Sequence, residues 1–114
     1  MFQVKRVYEA PDAGDGTRVL VDRIWPRGLT KSEVSMDLWL KEIAPSTALR
    51  KWYGHDPAKW REFCRRYAAE LDEKPQLTTL LQVKSGEGPV TLLYAARDSR
   101  HNQAVALKAY MEQR

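Results

Sequence analysis

The sequence predicts a small α/β fold: one domain over residues 1–114, with an at least partly parallel sheet of three to four strands and about four helices packed on it. Three observations lead there. Val19-Leu20-Val21 and the run VTLLYA at 90–95 are continuous apolar stretches of the kind found in strands covered on both faces. Helical patterning fills much of the chain between them, so the two strands can run parallel under packed helices. At 114 residues the chain can bury one continuous core without disulfides or metal.

Taken in order, a first strand is expected over 4–9 and a second over 18–25, stopped by Pro26. Between them lies PDAGDG, where Asp15-Gly16 reads as a turn joining neighbouring strands. MDLWLKEI at 36–43 has a length that would also suit a short helix, but it alternates well enough that a short strand is preferred. Ser46 is an N-cap for a helix over 47–53, and Asp56-Pro57 pairs an N-cap with a proline whose missing N–H costs nothing in a first helical turn. The helix after it carries Trp60, Phe63, Cys64, Tyr67 and Leu71 on one face, with Glu62 four residues ahead of Arg66 in the favourable order. A further helix over 75–84 buries Leu77, Leu80 and Leu81; a last one over 101–112 uses Ala104, Leu107 and Met111.

The formal charge of +4 is unevenly placed. Residues 50–66 hold six basic side chains against Asp56 and Glu62, which accounts for the whole net charge. Such a region either attracts anions or only keeps a helix face wet, and the second is the commoner case. Cys64 is the single cysteine, which excludes an intrachain disulfide and a cysteine metal cage and fits a reducing compartment. The first ten residues lack the apolar core of a secretory signal and no stretch has the length of a membrane span, so a cytoplasmic protein without membrane partners is expected.

Open parallel sheets bind ligands beyond the carboxyl ends of their strands, where loops and helix N-termini converge. Both central runs end in charge there: the first is followed by Asp22, Arg23 and, past Trp25, Arg27, and the second, which closes with Tyr94, is followed by Arg97 and Asp98 and then His101 and Asn102. Asp22 follows an apolar run directly, so it is either a paired structural carboxylate or a general base. The corresponding assignment makes Asp22, Asp98 and His101 the acid–base candidates, with Arg23, Arg27 and Arg97 holding a phosphate or carboxylate. Set against it, His101 can be a helix-start cap and His55 can merely order the turn before Asp56-Pro57. Trp25 and Trp52 sit beside turns and charges and are expected to wall the pocket, whereas Trp39 and Trp60 fit apolar stripes. No Gly-x-Gly-x-x-Gly, P-loop or zinc-ligand spacing is present, and Cys64 lies on an apolar stripe, so neither a nucleotide-loop cofactor, a metal nor a cysteine nucleophile is expected.

Three blocks, DGTRVLVDRIWPRG, APSTALRKWYGHDPAKWREFCRRYAAEL and TLLYAARDSRHNQA, resemble in order the signature blocks of the YeaO-like proteins, domain-of-unknown-function family 488, over about residues 4–107. The resemblance implies a small, mostly bacterial α/β protein and brings no activity with it. The positions matching the family's motifs are Asp22, Arg23, Trp25, Pro26, Arg27 and Gly28, then Trp52, His55, Asp56 and Pro57, then Tyr94, Arg97, Asp98, His101 and Asn102. Arg97 stands where the family usually carries lysine, which keeps the charge and weakens any Schiff-base role, since arginine does not deprotonate. Three function classes follow: binding of a small anionic ligand at the strand ends, with or without acid–base catalysis; nucleic-acid binding through 50–66; or a non-catalytic regulatory or interaction role. The first is preferred because charge of both signs gathers where two apolar strands end.

Overall fold

The computed structural model describes residues 1–113, with a radius of gyration of 13.3 Å. Four strands, β1 (Phe2–Arg6), β2 (Thr17–Leu20), β3 (Leu38–Trp39) and β4 (Val90–Tyr94), form one sheet in the order β1-β4-β2-β3. Every pairing is parallel, with Phe2 opposite Val90, Val19 opposite Leu92 and Leu20 opposite Trp39. The helices are α1 (Thr47–Tyr53), α2 (Trp60–Asp72), α3 (Pro75–Glu87) and α4 (Gln103–Glu112). This is the expected α/β class.

The two faces of the sheet are covered differently. One face presents Phe2, Val19, Val21, Val90, Leu92 and Tyr94 to all four helices, which contribute Leu49 and Tyr53, Phe63, Tyr67 and Leu71, Leu81, and Ala104, Leu107 and Met111. Each fully buried leucine or valine here contributes about 2 kcal/mol of transfer free energy. The other face, Leu20 and Leu93 with Val7 beside them, is covered by no helix but by the β2–β3 connection, through Trp25, Leu29, Val34 and Met36. All five β4 residues are buried, as expected for the strand between two others with both faces covered.

Several expected boundaries and one connection are corrected. Asp15-Gly16 does not join neighbouring strands, because β4 lies between β1 and β2 and runs parallel to both. The segment is instead a 3₁₀ turn, Ala13–Asp15, closed by a reciprocal cap between Asp12 and Asp15. Asp15 is buried on the loop-covered side with Arg18; Lys5 Nζ lies 3.2 Å from its carboxylate, and its carbonyl accepts the Thr91 hydroxyl at 2.7 Å. Gly16 follows at φ 63°, with a Cβ excluded by the Pro89 carbonyl, so glycine is required there. The first strand is Phe2–Arg6 rather than 4–9, and the second ends at Leu20, since beyond Val21 the chain leaves the ladder. Of the strand expected over 36–43 only Leu38–Trp39 pairs; Lys41–Ile43 is a 3₁₀ turn.

The helix starts follow their caps. Ser46 accepts from the Leu49 N–H, and its own N–H and hydroxyl donate to Glu70 of α2, so the α1 cap also ties the two helices. Asp56 caps the 3₁₀ turn Pro57–Lys59, which leads straight into α2. Thr78 takes a buried place on α3 beside Leu81, while Leu77 and Leu80 are half-buried. The last helix begins at Gln103 because Asn102, not His101, is its N-cap.

Candidate functional site

Because all four strands are parallel, the segments leaving β1, β2 and β4 emerge at one edge of the sheet. They meet there around a cleft of about 910 Å³. Its lining includes Arg6 and Tyr8 after β1, Asp22, Arg23, Trp25 and Arg27 after β2, Arg50, Tyr53 and His55 from α1 and the turn behind it, and Arg97, Asp98, His101, Asn102 and Gln103 around the start of α4.

Asp22 sits at the centre of this edge. One carboxylate oxygen accepts the Ala95 backbone N–H at 3.0 Å and the other accepts the Gln103 side-chain amide, so it ties the ends of β2 and β4 to the first turn of α4. Neither partner is charged. Burial pushes its carboxyl up to about 6, against the Ala95 N–H that lowers it. Its own carbonyl accepts Trp39 Nε1 at 2.7 Å.

Asp98 and His101 form a local pair. Asp98 takes the backbone N–H groups of Arg100 and His101 at 2.8 and 3.0 Å, and His101 Nδ1 lies 2.9 Å from its second oxygen. The Arg100 N–H, then the His101 side chain, hold this carboxyl below the usual range. With Nδ1 donating to Asp98, Nε2 is the ring nitrogen left to a ligand. Asn102 locks the same loop, donating to the Asp98 carbonyl at 2.9 Å while capping α4. Tyr53 donates its hydroxyl to the His101 carbonyl at 3.0 Å; burial, then the Asp98 charge, pushes that hydroxyl up to about 12.

The arginines divide into two groups. Arg6 and Arg23 spend their guanidiniums on backbone carbonyls, Arg6 on Ala95 and Ala96 and Arg23 on Ala44 and Pro45. Arg27, Arg50 and Arg97 are exposed, and among the described residues their guanidiniums meet no hydrogen-bond or ion-pair partner.

Of the residues singled out from sequence, Asp22, Arg23, Trp25, Arg27, His55, Arg97, Asp98, His101 and Asn102 all line the cleft. Trp52 and Tyr94 do not. Trp52 lies outside it, with Lys59 5.1 Å and Arg66 4.1 Å from its ring, and Tyr94 is buried in the core. Arg6, Tyr8, Arg50, Tyr53 and Gln103 belong to the lining although sequence reasoning did not place them there. Gln103 lies within the HNQA block, directly after Asn102, and that position was its only signal. Among the described residues, no group of three or more His, Cys, Asp or Glu is placed to hold a metal ion, and no helix is long and apolar enough to cross a membrane.

A parallel α/β sheet with an arginine-rich cleft at its carboxyl edge defines the general class. The chain belongs to the domain-of-unknown-function family 488, within the group described as the inactive DUF488-N3 subclade, whose profile matches residues 1–114. It is 40% identical over 110 residues to the uncharacterised protein YeaO of Escherichia coli (strain K12), covering 96% of each chain. It is also 43% identical over 105 residues to the uncharacterised protein Rv3073c of Mycobacterium tuberculosis (strain H37Rv), covering 92% of this chain and 88% of that one. No solved structure matches.

Proposed function

We propose that the protein binds a small phosphate- or carboxylate-bearing ligand in the cleft at the carboxyl ends of β1, β2 and β4, and that it does so without turning the ligand over. The observation that carries this reading is the set of guanidiniums on Arg27, Arg50 and Arg97, which come from three separate segments and, among the described residues, are left without partners around one opening. With Arg6 and Arg23 the lining holds five arginines against the carboxylates Asp22 and Asp98, an imbalance that favours an anion. Guanidiniums suit phosphate and carboxylate because their planar fork donates two parallel hydrogen bonds.

Binding is preferred to catalysis on two grounds. Both Asp22 oxygens already accept hydrogen bonds from the protein, so abstracting a proton would cost the links that hold β2, β4 and α4 together. The word "inactive" in the subclade's description points the same way. Nucleic-acid binding through 50–66 is less favoured: Glu62 pairs with both Arg65 and Arg66, and Lys59 and Arg66 pack on Trp52, which leaves a broken track for phosphates.

A thermal-shift titration with inorganic phosphate, sugar phosphates and dicarboxylates tests the reading. A rise in melting temperature with at least one of these at moderate salt is expected, weakened about tenfold or more in apparent affinity by Arg97→Ala and by Arg50→Ala, neither of which alters the melting of the free protein. No shift with any of them, or shifts indifferent to both substitutions, overturns it.

A further inference from the structure

The cleft is larger than an anion needs. Its volume of about 910 Å³ lies in the range of sites for organic ligands, roughly 300–1,000 Å³. The surplus is flanked by rings from both layers of the fold: Tyr8 and Trp25 from the loop-covered side, His55 and His101 from the helical side.

Tyr8 and Trp25 are anchored by their polar atoms. Tyr8 donates its hydroxyl to the Arg27 carbonyl at 2.8 Å, and Arg6 backs its ring at 4.7 Å. Trp25 donates Nε1 to the Leu29 carbonyl at 2.7 Å and meets Trp39 edge-on at 5.2 Å. What they still offer a ligand is ring surface. Tyr8 is 41% exposed at the rim.

His55 adds a different kind of observation. Among the described residues it is the non-glycine residue with positive φ, at 56°, directly after Gly54 at the same angle. A left-handed backbone costs a residue with a Cβ about 1 kcal/mol, and glycine would make this turn without it. The turn nevertheless carries an imidazole, exposed at the mouth of the cleft. Strain kept at the rim of a cavity is accounted for when the side chain that causes it meets the ligand.

We infer that the occupant of the cleft is a nucleoside monophosphate, its planar base lying against Tyr8, Trp25 and His55 and its phosphate held by Arg27, Arg50 and Arg97. The inference rests on the anion-binding reading and adds the ring. Aromatic side chains accept any base by its face, each stacking contact strengthening binding about tenfold, so selectivity among bases is not part of the claim.

Isothermal titration of the full chain at moderate salt decides it, with AMP, GMP, CMP, UMP, ribose 5-phosphate, inorganic phosphate and a short single-stranded oligonucleotide as probes. At least one mononucleotide is expected to bind about tenfold tighter than ribose 5-phosphate. His55→Asn, which tolerates the left-handed backbone, should remove severalfold of that advantage while ribose 5-phosphate affinity and the melting temperature stay as they are, and Tyr8→Leu should lower the ratio of mononucleotide to ribose 5-phosphate affinity severalfold. Equal affinities for mononucleotides, ribose 5-phosphate and phosphate overturn the ring and leave the anion site standing. An oligonucleotide bound more than tenfold tighter than every mononucleotide also overturns it, in favour of a polymer. No binding of any probe sinks both readings.

Discussion

Asp22 accepts two hydrogen bonds, yet loss of water dominates and its carboxyl is pushed up to about 6. An unfolded aspartate titrates near 4, so between about pH 4 and 6 the folded protein keeps a proton that the unfolded chain has released. Stability from this group is therefore present at low pH and lost as pH rises through that window, by at most about 3 kcal/mol. Asp98, held down by the Arg100 N–H and His101, has the opposite sign: its contribution is present above the unfolded value and lost as pH falls. Asp22→Asn should remove the first effect, so that the wild type loses melting temperature relative to the variant between pH 4.5 and 7. Parallel curves would mean that Asp22 does not titrate there. The residues legible in the sequence were those directly after an apolar run, Asp22 to Arg27 and Arg97 to Asn102, because parallel strands must bring such ends together. Arg6 and Tyr8 follow a run that a hairpin at Asp15-Gly16 would send to the opposite edge. Arg50 reads as one more charge on a wet helix until α1 is seen to end at the cleft.

At the scale of elements, the caps were readable because a cap is local chemistry: Ser46, Asp56 and Asn102 each accept a hydrogen bond from the turn they open. Strand length was not, since β2 and β3 end where partners run out rather than where β-forming residues do. The start of α4 connects these facts to the site. Asn102 is buried, caps α4 and grips the Asp98 carbonyl, so one side chain holds the loop that presents Arg97 and His101. Asn102→Ala should cost about 2 kcal/mol, from the lost cap and the lost bond to a carbonyl. Chemical denaturation measures the loss, and anion affinity should weaken with it. A variant of wild-type stability would show that water replaces the cap without cost.

Over the whole molecule, the two edges of the sheet do different work. The carboxyl edge is open and positively charged; behind the amino edge, on the loop-covered face, Asp15 joins Lys5 of β1, Arg18 of β2 and Thr91 of β4. Burial alone would raise the Asp15 carboxyl, but hydrogen bonds from the Asp12 backbone, Lys5 and Arg18 outweigh it and hold it below the usual range. Removing its charge leaves Arg18 buried and unpaired, so Asp15→Asn should destabilise the protein by about 3 kcal/mol in a denaturant titration. Anion affinity per folded molecule should not change, because the cleft lies at the other end of the strands. A change there would mean that the edges are coupled.

That β4 is both the last strand in the chain and the partner of β1 and β2 has a bearing on how the protein is made. Met1 to Arg6 must wait for residues 90–94 before it has anything to pair with, and β2 has only the two-residue β3 until then. A ribosome therefore extrudes most of this chain before the sheet can close. During that interval the β1 and β2 edges, with Val19-Leu20-Val21 uncovered, are the nascent segments that a holding chaperone would have to shield.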